Sequence, residues 1–285
     1  MIPTQSSRKK LYETLLAIAV VTIIAVVLGF FYKTNQKQEP HCDYPVSTIT
    51  SYQDPLPDVN EDTLVLFDVD DTLITSPALN PNYFTWWFKV LFILRYPTYI
   101  FTNWENAYSL LWTTVPFTLT EPSVIDVIKR FQEKRAIILA LTSMESGSYG
   151  VIESMPAWRY TMLKDMGITL RDYYEKPEVY KNFPEYRSSY PMLYKNILCA
   201  NQQDKGQVVR AFLGIFSGAT WFSQIIAIDN DLNALNSIGR ACEAGLIHYT
   251  LVHYAPKKSP DTWNTWHALE EFKDMIDAHS NAAVT

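Results

Sequence analysis

The sequence predicts an α/β protein: a parallel sheet covered on both faces by helices, with a small helical insertion after its first strand and a transmembrane helix at the amino terminus. Three observations predict it. Short, continuous apolar runs bounded by polar residues alternate with amphipathic helical stretches, the pattern of parallel β-α-β units with right-handed crossovers. Three of these runs end in residues able to contact a phosphate or a metal: Asp68 with Asp70, Thr142, and Asp229. An uncharged apolar stretch of membrane-spanning length precedes the rest.

The bulk properties narrow the classes of function. With 285 residues, 48% of them hydrophobic and 14% aromatic, the chain can bury a full core. A formal net charge of -6 argues against a nucleic-acid binder, which needs an excess of Lys and Arg on one face. The expected partner is a small molecule. Cys42, Cys199 and Cys242 lie far apart and show no Cys-x-x-Cys spacing, so they suggest neither a zinc site nor a disulfide framework.

Residues 1–13 carry Arg8, Lys9 and Lys10, and residues 14–32 (TLLAIAVVTIIAVVLGFFY) carry no charge. As a helix the second stretch would reach about 28 Å, close to the bilayer hydrocarbon thickness. The alternative is a cleaved secretory signal, but Phe30, Phe31 and Tyr32 stand where small residues are needed for cleavage. The excess of Lys and Arg before the span over Lys33 and Lys37 after it places the amino terminus in the cytoplasm and the main domain on the exported side. Residues 33–62, polar and broken by Pro40, Pro45, Pro55 and Pro57, read as a tether.

The domain expected over 63–278 begins with a buried strand, Thr63–Phe67 (TLVLF), that stops at Asp68-Val69-Asp70-Asp71-Thr72. Residues 77–119 are rich in aromatics at helical spacing, with no clear strands. A helix follows over 120–134, a strand over 136–141 closed by Thr142 and Ser143, and a helix over 158–166 with Gly167 as its carboxyl cap. Residues 206–216 form a helix after Asp204-Lys205. A strand over 224–228 runs into Asp229-Asn230-Asp231, and Asp231 suits the cap of the helix over 232–244. A strand over 247–253 and a helix over 261–278 complete the domain, leaving 279–285 as a tail. In open parallel sheets ligands bind outside the carboxyl ends of the strands, so this topology brings the polar ends to one crevice.

These residues resemble the haloacid dehalogenase (HAD) superfamily. Its first motif, Asp-x-Asp-x-Thr after a hydrophobic strand, matches Asp68, Asp70 and Thr72; its strand-end Ser or Thr matches Thr142; its helix-opening Lys matches Lys205; and its late acidic group matches Asp229. The runs LFDVDDTLITS, LTS, DKGQVVRAFL and IIAIDND also look like a bacterial HAD-like family of unknown function, and FDVDDTL followed by Ser76-Pro77 is similar to the class B acid phosphatases. The order holds from Thr63 to about Ala278. One departure stands out, because Asn230 follows Asp229 where relatives often have two adjacent acids.

The resemblance implies a Rossmannoid sheet with a helical cap over 77–119 and a magnesium-dependent phosphomonoester phosphatase. Magnesium takes oxygen ligands and usually keeps several waters. The implied set is the Asp68 and Asp229 side chains with the Asp70 main-chain carbonyl. Asp68 is the implied nucleophile that becomes an aspartyl phosphate, and Asp70 the general acid and base. Thr142 and Lys205 bind the phosphoryl group, Lys205 neutralising its charge. Asp two residues after the nucleophile favours hydrolysis over dehalogenation. Two alternatives stay open: an exported binding protein with little turnover on the same scaffold, and a phosphotransferase. The aromatic segment over 83–117 admits three readings: contacts to substrate, the insertion's own core with Trp86, Phe88 and Trp112, or, over 83–101, contact with a membrane surface.

Overall fold

A computed structural model of the chain describes residues 42–172, 174, 176–216, 222–257 and 263–282. The expected cytoplasmic segment 1–13, the anchor 14–32, the first part of the tether and the last residues of the tail lie outside the described residues. Among those described, no helix is long and apolar enough to cross a membrane.

The central sheet has eight strands in the order β1-β10-β9-β2-β5-β8-β7-β6. Its parallel part comprises β1 (Val46–Ile49), β2 (Thr63–Asp68), β5 (Ile137–Thr142), β8 (Ile197–Cys199), β9 (Gln224–Asp229) and β10 (His248–Tyr254), and the short β6 (Glu178–Val179) and β7 (Met192–Tyr194) close one edge antiparallel. The chain leaves β2 for β5 on one side and returns to β9 on the other. The reversal falls at the carboxyl end of β2, where an open sheet forms its crevice.

Alternate residues along the strands feed two cores, because successive side chains point to opposite faces. On one face Leu64, Leu66, Leu139, Leu141, Ile225 and Ala227 pack against Val208, Val209 and Phe212 of α5 (Lys205–Phe216) and Leu235 and Ile238 of α6 (Leu232–Ala244). On the other face Val65, Phe67, Ile138, Ala140, Ile226 and Ile228 meet α3 (Ser123–Glu133), α4 (Met155–Asp165) and α7 (Thr265–Ala282). Strands buried on both faces explain the unbroken apolar runs.

The domain starts earlier than the tether reading allows. Val46–Ile49 pairs in parallel with β10, Val46 opposite Leu251, and Ile49, Tyr52 and Val59 are buried. Pro45 stands just before this edge strand, where a proline removes no ladder hydrogen bond. At the other end α7 continues to Ala282, past the expected start of the tail.

The aromatic segment is an insertion on a two-stranded antiparallel stem, β3 (Ile74–Thr75) with β4 (Thr118–Leu119). Two-residue strands are too short to leave a period in the sequence. Between them lie α1 (Trp86–Arg95) and α2 (Trp104–Thr114). Phe88 and Phe92 of α1 close edge-on around Phe272 of α7, with ring centroids 5.3 Å apart in both cases, and Trp104 stacks on the same ring at 6.0 Å. Those side chains extend the core on that face of the sheet. Trp86 does not, being 42% exposed.

Glu121, at the foot of α3, ties these layers together. Its carboxylate accepts from Ser51 Oγ at 2.6 Å, from the Tyr52 amide, from Ser123 Oγ and from Tyr254 Oη at 2.7 Å. Partial burial works against its charge, but these donors together hold its pKa below the ordinary value of 4.5. A lowered carboxylate pKa adds stability that is present above the unfolded value and lost as pH falls through the folded one. Glu121→Ala should lower the unfolding free energy by about 2 kcal/mol in urea titrations at pH 7. The gap between wild type and Glu121→Gln should narrow as the pH drops below 4.5.

Candidate active site

The carboxyl ends of β2, β5 and β9 and the first residue of α5 converge. Asp68 ends β2, Thr142 ends β5, Asp229 ends β9, and Lys205 opens α5; all four are buried. Lys205 Nζ donates to Asp68 Oδ1 at 2.6 Å and to Asp229 Oδ2 at 2.7 Å. Lys205 is thus a buried, doubly paired residue although it stands in the first turn of a helix. Asp204 meanwhile caps the helix, its Oδ1 accepting from the Gln207 amide at 2.8 Å.

Backbone geometry sets these positions. After Asp68 the chain turns sharply, with Asp71 in the left-handed region (φ 60°), a conformation that Asp tolerates better than most residues. The Leu73 and Ile74 amides both donate to the Val69 carbonyl, which closes the turn. Thr72 locks it to the end of β9, its hydroxyl accepting from the Asn230 amide at 3.1 Å. Asp231 caps α6, its carboxylate accepting from the Asn233 amide, and its own amide donates to Asp229 Oδ1 at 2.8 Å. Gly206 lets α5 sit against α6: a Cβ there would lie 2.1 Å from the Ser237 carbonyl oxygen.

Thr142 and Asp70 form the second half of the site. Thr142 Oγ1 donates to Asp70 Oδ2 at 3.4 Å, while Asp70 Oδ1 is paired with Arg159 Nη2 at 2.9 Å. The Asp70 side chain is 53% exposed and Arg159 only 6%, so a buried guanidinium supports a carboxylate that faces solvent. Arg159 packs beneath the rings of Trp158 and Phe117, with centroid distances of 5.1 and 5.7 Å, and its Nε has no hydrogen-bond partner among the described residues.

Sequence reasoning missed Arg159. Its helix, MPAWRYTMLKD, mixes apolar and polar residues around its circumference, and nothing in that pattern marks one arginine as buried. All five expected residues, by contrast, gather at the strand ends: Asp68, Lys205 and Asp229 in direct contact, Asp70 and Thr142 as a joined pair beside them. Ser143, the adjacent hydroxyl, is exposed, and its carbonyl accepts from the Gln202 amide.

Burial pushes the Asp68 carboxyl up to about 7, with Asp229 and Asp70 adding to the rise and Lys205 opposing it. Asp229 is raised as well, chiefly by burial and against Lys205. Burial disfavours the Lys205 ammonium, yet the two carboxylates outweigh that cost and raise its pKa above the ordinary lysine value. Two carboxyl groups and one ammonium thus share a buried site in which burial resists the ionisation of both acids and Lys205 favours it.

The donor set suits a hard cation. Asp68 and Asp229 present carboxylate oxygens that already share one nitrogen as a neighbour, and the Asp70 carbonyl lies on the same turn. No cluster of three or more His, Cys, Asp or Glu side chains among the described residues is arranged to hold a metal by itself. A site here would rest on two side chains and a carbonyl and would need water in its remaining positions, which magnesium accepts.

Fold and site together define a mostly parallel α/β protein with a buried lysine–carboxylate centre at its strand ends. The chain belongs to the family described as "Protein of unknown function (DUF2608)", which matches residues 45–277 and so takes in β1. It is also similar to the uncharacterized protein RP296 of Rickettsia prowazekii (strain Madrid E), 26% identical over 178 residues that make up 60% of this chain. The chain spans 62% of that relative's length.

Removing Lys205 leaves two buried carboxylates facing each other without compensation. Lys205→Met should lower the unfolding free energy by about 3–5 kcal/mol in chelator, as breaking a buried ion pair does. Equilibrium denaturation with and without Asp229→Asn in the same chain checks it, since the second change should restore part of the loss.

Proposed function

We propose that this protein is a magnesium-dependent phosphomonoester phosphatase of the HAD type, working through an aspartyl phosphate on Asp68. The observation that carries the reading is the Lys205 ammonium bonded to both Asp68 and Asp229 at the carboxyl ends of adjacent parallel strands. The reading adds that the sheet is the HAD Rossmannoid, that the insertion on the β3–β4 stem serves as its cap, and that residues 14–32 anchor the chain with the domain on the exported side.

A phosphate ester is anionic, so an attacking carboxylate meets repulsion that the site must offset. Magnesium held by Asp68, Asp229 and the Asp70 carbonyl would supply positive charge for that purpose. Lys205 supplies more, one ammonium placed to neutralise both the nucleophile and the incoming phosphoryl oxygens. Asp68 attacks phosphorus through a carboxylate oxygen, the bond to the leaving oxygen breaks, and Asp70 delivers a proton to that oxygen. Asp70 then takes a proton from the water that attacks phosphorus and releases phosphate, reversing its role. Thr142 donates its hydroxyl to a phosphoryl oxygen. Asp70 is exposed enough to turn towards a leaving group, and Arg159 holds it until then. Arg159 is a positioning residue in this scheme, fixing where the acid starts.

The full chain in detergent, assayed with p-nitrophenyl phosphate and a panel of phosphomonoesters, tests the reading. Phosphate release should require magnesium, stop with chelator, and fall about 10³-fold or more in Asp68→Asn. A folded, magnesium-supplied protein that releases no phosphate from any member of the panel sinks the general phosphatase reading and leaves binding or a narrow phosphotransfer in its place. Arg159→Met should lower kcat by about 10-fold with little change in KM, and Arg159→Lys should recover part of it; an equal rise in KM would mean that Arg159 touches substrate instead.

A further inference from the structure

The insertion carries more apolar surface than the core beneath it buries. In α1 (WWFKVLFILR) only Lys89 and Arg95 are polar. Phe88 and Phe92 turn inward. Trp86, Val90 and Leu94, spaced four residues apart, occupy one outward side, where a surface helix of a globular protein normally places charge. Leu94 is 72% exposed. The turn after α1 leaves Ile100 and Phe101 in solvent, Phe101 at 94%. Trp266, at the start of α7 and 60% exposed, stands beside the end of α1, with the Arg95 guanidinium 5.6 Å from its ring. Of the nine exposed large apolar side chains among the described residues, Phe84, Trp86, Leu94, Ile100, Phe101 and Trp266 belong to this insertion and the adjoining end of α7. That concentration marks a contact surface, since single exposed apolar residues are ordinary but clusters are not.

We propose that this face, formed by the outer side of α1, the turn after it and the first turn of α7, rests in the headgroup region of a lipid bilayer. The proposal rests on the reading of residues 14–32 as an anchor and is independent of the chemistry at Asp68. If those residues enter the bilayer, residues 33–41 can carry the start of the domain at most about 30 Å from it even when fully extended. A bilayer is therefore the apolar partner held at high local concentration. The side chains suit that occupant: Trp and Phe at headgroup depth, with an arginine at the rim whose stem can lie along apolar surface while its head stays wet. Attraction between opposite charges does not drive the contact. Arg95 is engaged by Glu270 at 2.6 Å, Lys89 sits over the Trp104 and Tyr108 rings, and the chain is acidic overall. The contact should accordingly form on zwitterionic lipid and resist salt.

The test uses the full chain reconstituted in phosphatidylcholine vesicles, with photoreactive p-benzoylphenylalanine in place of Phe101 or, as a control, of Leu246. Leu246 is 95% exposed and lies just past the end of α6, outside the insertion. Irradiation should attach phospholipid at position 101 and at least five times less at 246, in both low and high salt. Attachment at 101 to a second copy of the chain, or no lipid attachment above the control in a chain that resists alkaline carbonate extraction, overturns the surface contact while leaving the anchor intact. A chain that carbonate releases refutes the anchor, and the surface proposal falls with it. Phosphatase activity is read separately and bears on neither outcome.

Discussion

The ammonium of Lys205 between Asp68 and Asp229 is the interaction on which the rest depends. Two carboxylates buried at adjacent strand ends repel each other in a medium that screens poorly, and they can share the site only with a cation between them. Such a buried network is seldom the most stable way to fill a core, for apolar residues of similar volume often do as well or better. Its presence is best understood through what it makes possible. β2 and β9 bring the acids side by side, α5 delivers the base at its first residue, and the Thr72–Asn230 link fixes the two acidic turns against each other.

The second half of the site obeys a different logic. Asp70 and Thr142 lie at the boundary with solvent, and Asp70 keeps one side open while Arg159 holds the other. A buried arginine under a solvent-facing carboxylate fixes the position of that carboxylate. The flanking Trp158 and Phe117 rings give the guanidinium faces to stack on where direct hydrogen-bond partners are few.

Much of this was legible in the sequence, and what was not had physical reasons. β2, β5 and β9 announced themselves because strands buried on both faces are continuous apolar runs, and α6 because Asp231 caps it and its apolar side is regular. β1 hid behind Pro45 and a surrounding polar stretch, as edge strands do when one side faces solvent. β6, β7 and β8 are two or three residues long, too short for any period to show. Asp68, Asp70, Thr142 and Asp229 could be named because each lies at or just past a strand end, where topology aligns them, and Lys205 because its helix opening resembles a family motif. Arg159 could not, because it reaches the site from the middle of a helix whose composition marks no face. The aromatic insertion divided between readings: Phe88, Phe92 and Trp104 pack into the core that covers one face of the sheet, while Trp86 and Phe101 stay outside it.

The close approach at Gly206 ties the position of the base to the spacing of two helices. Its amide donates to Ser237 Oγ at 2.8 Å, and even a methyl group would collide with the carbonyl of the same serine. The helix carrying Lys205 therefore takes its height above the sheet from its neighbour, with no slack for a larger residue. Selection cannot vary the packing of that helix pair and the reach of the ammonium separately. A lineage in which the pair moves apart must either lengthen its reach by another route or let the charged centre go.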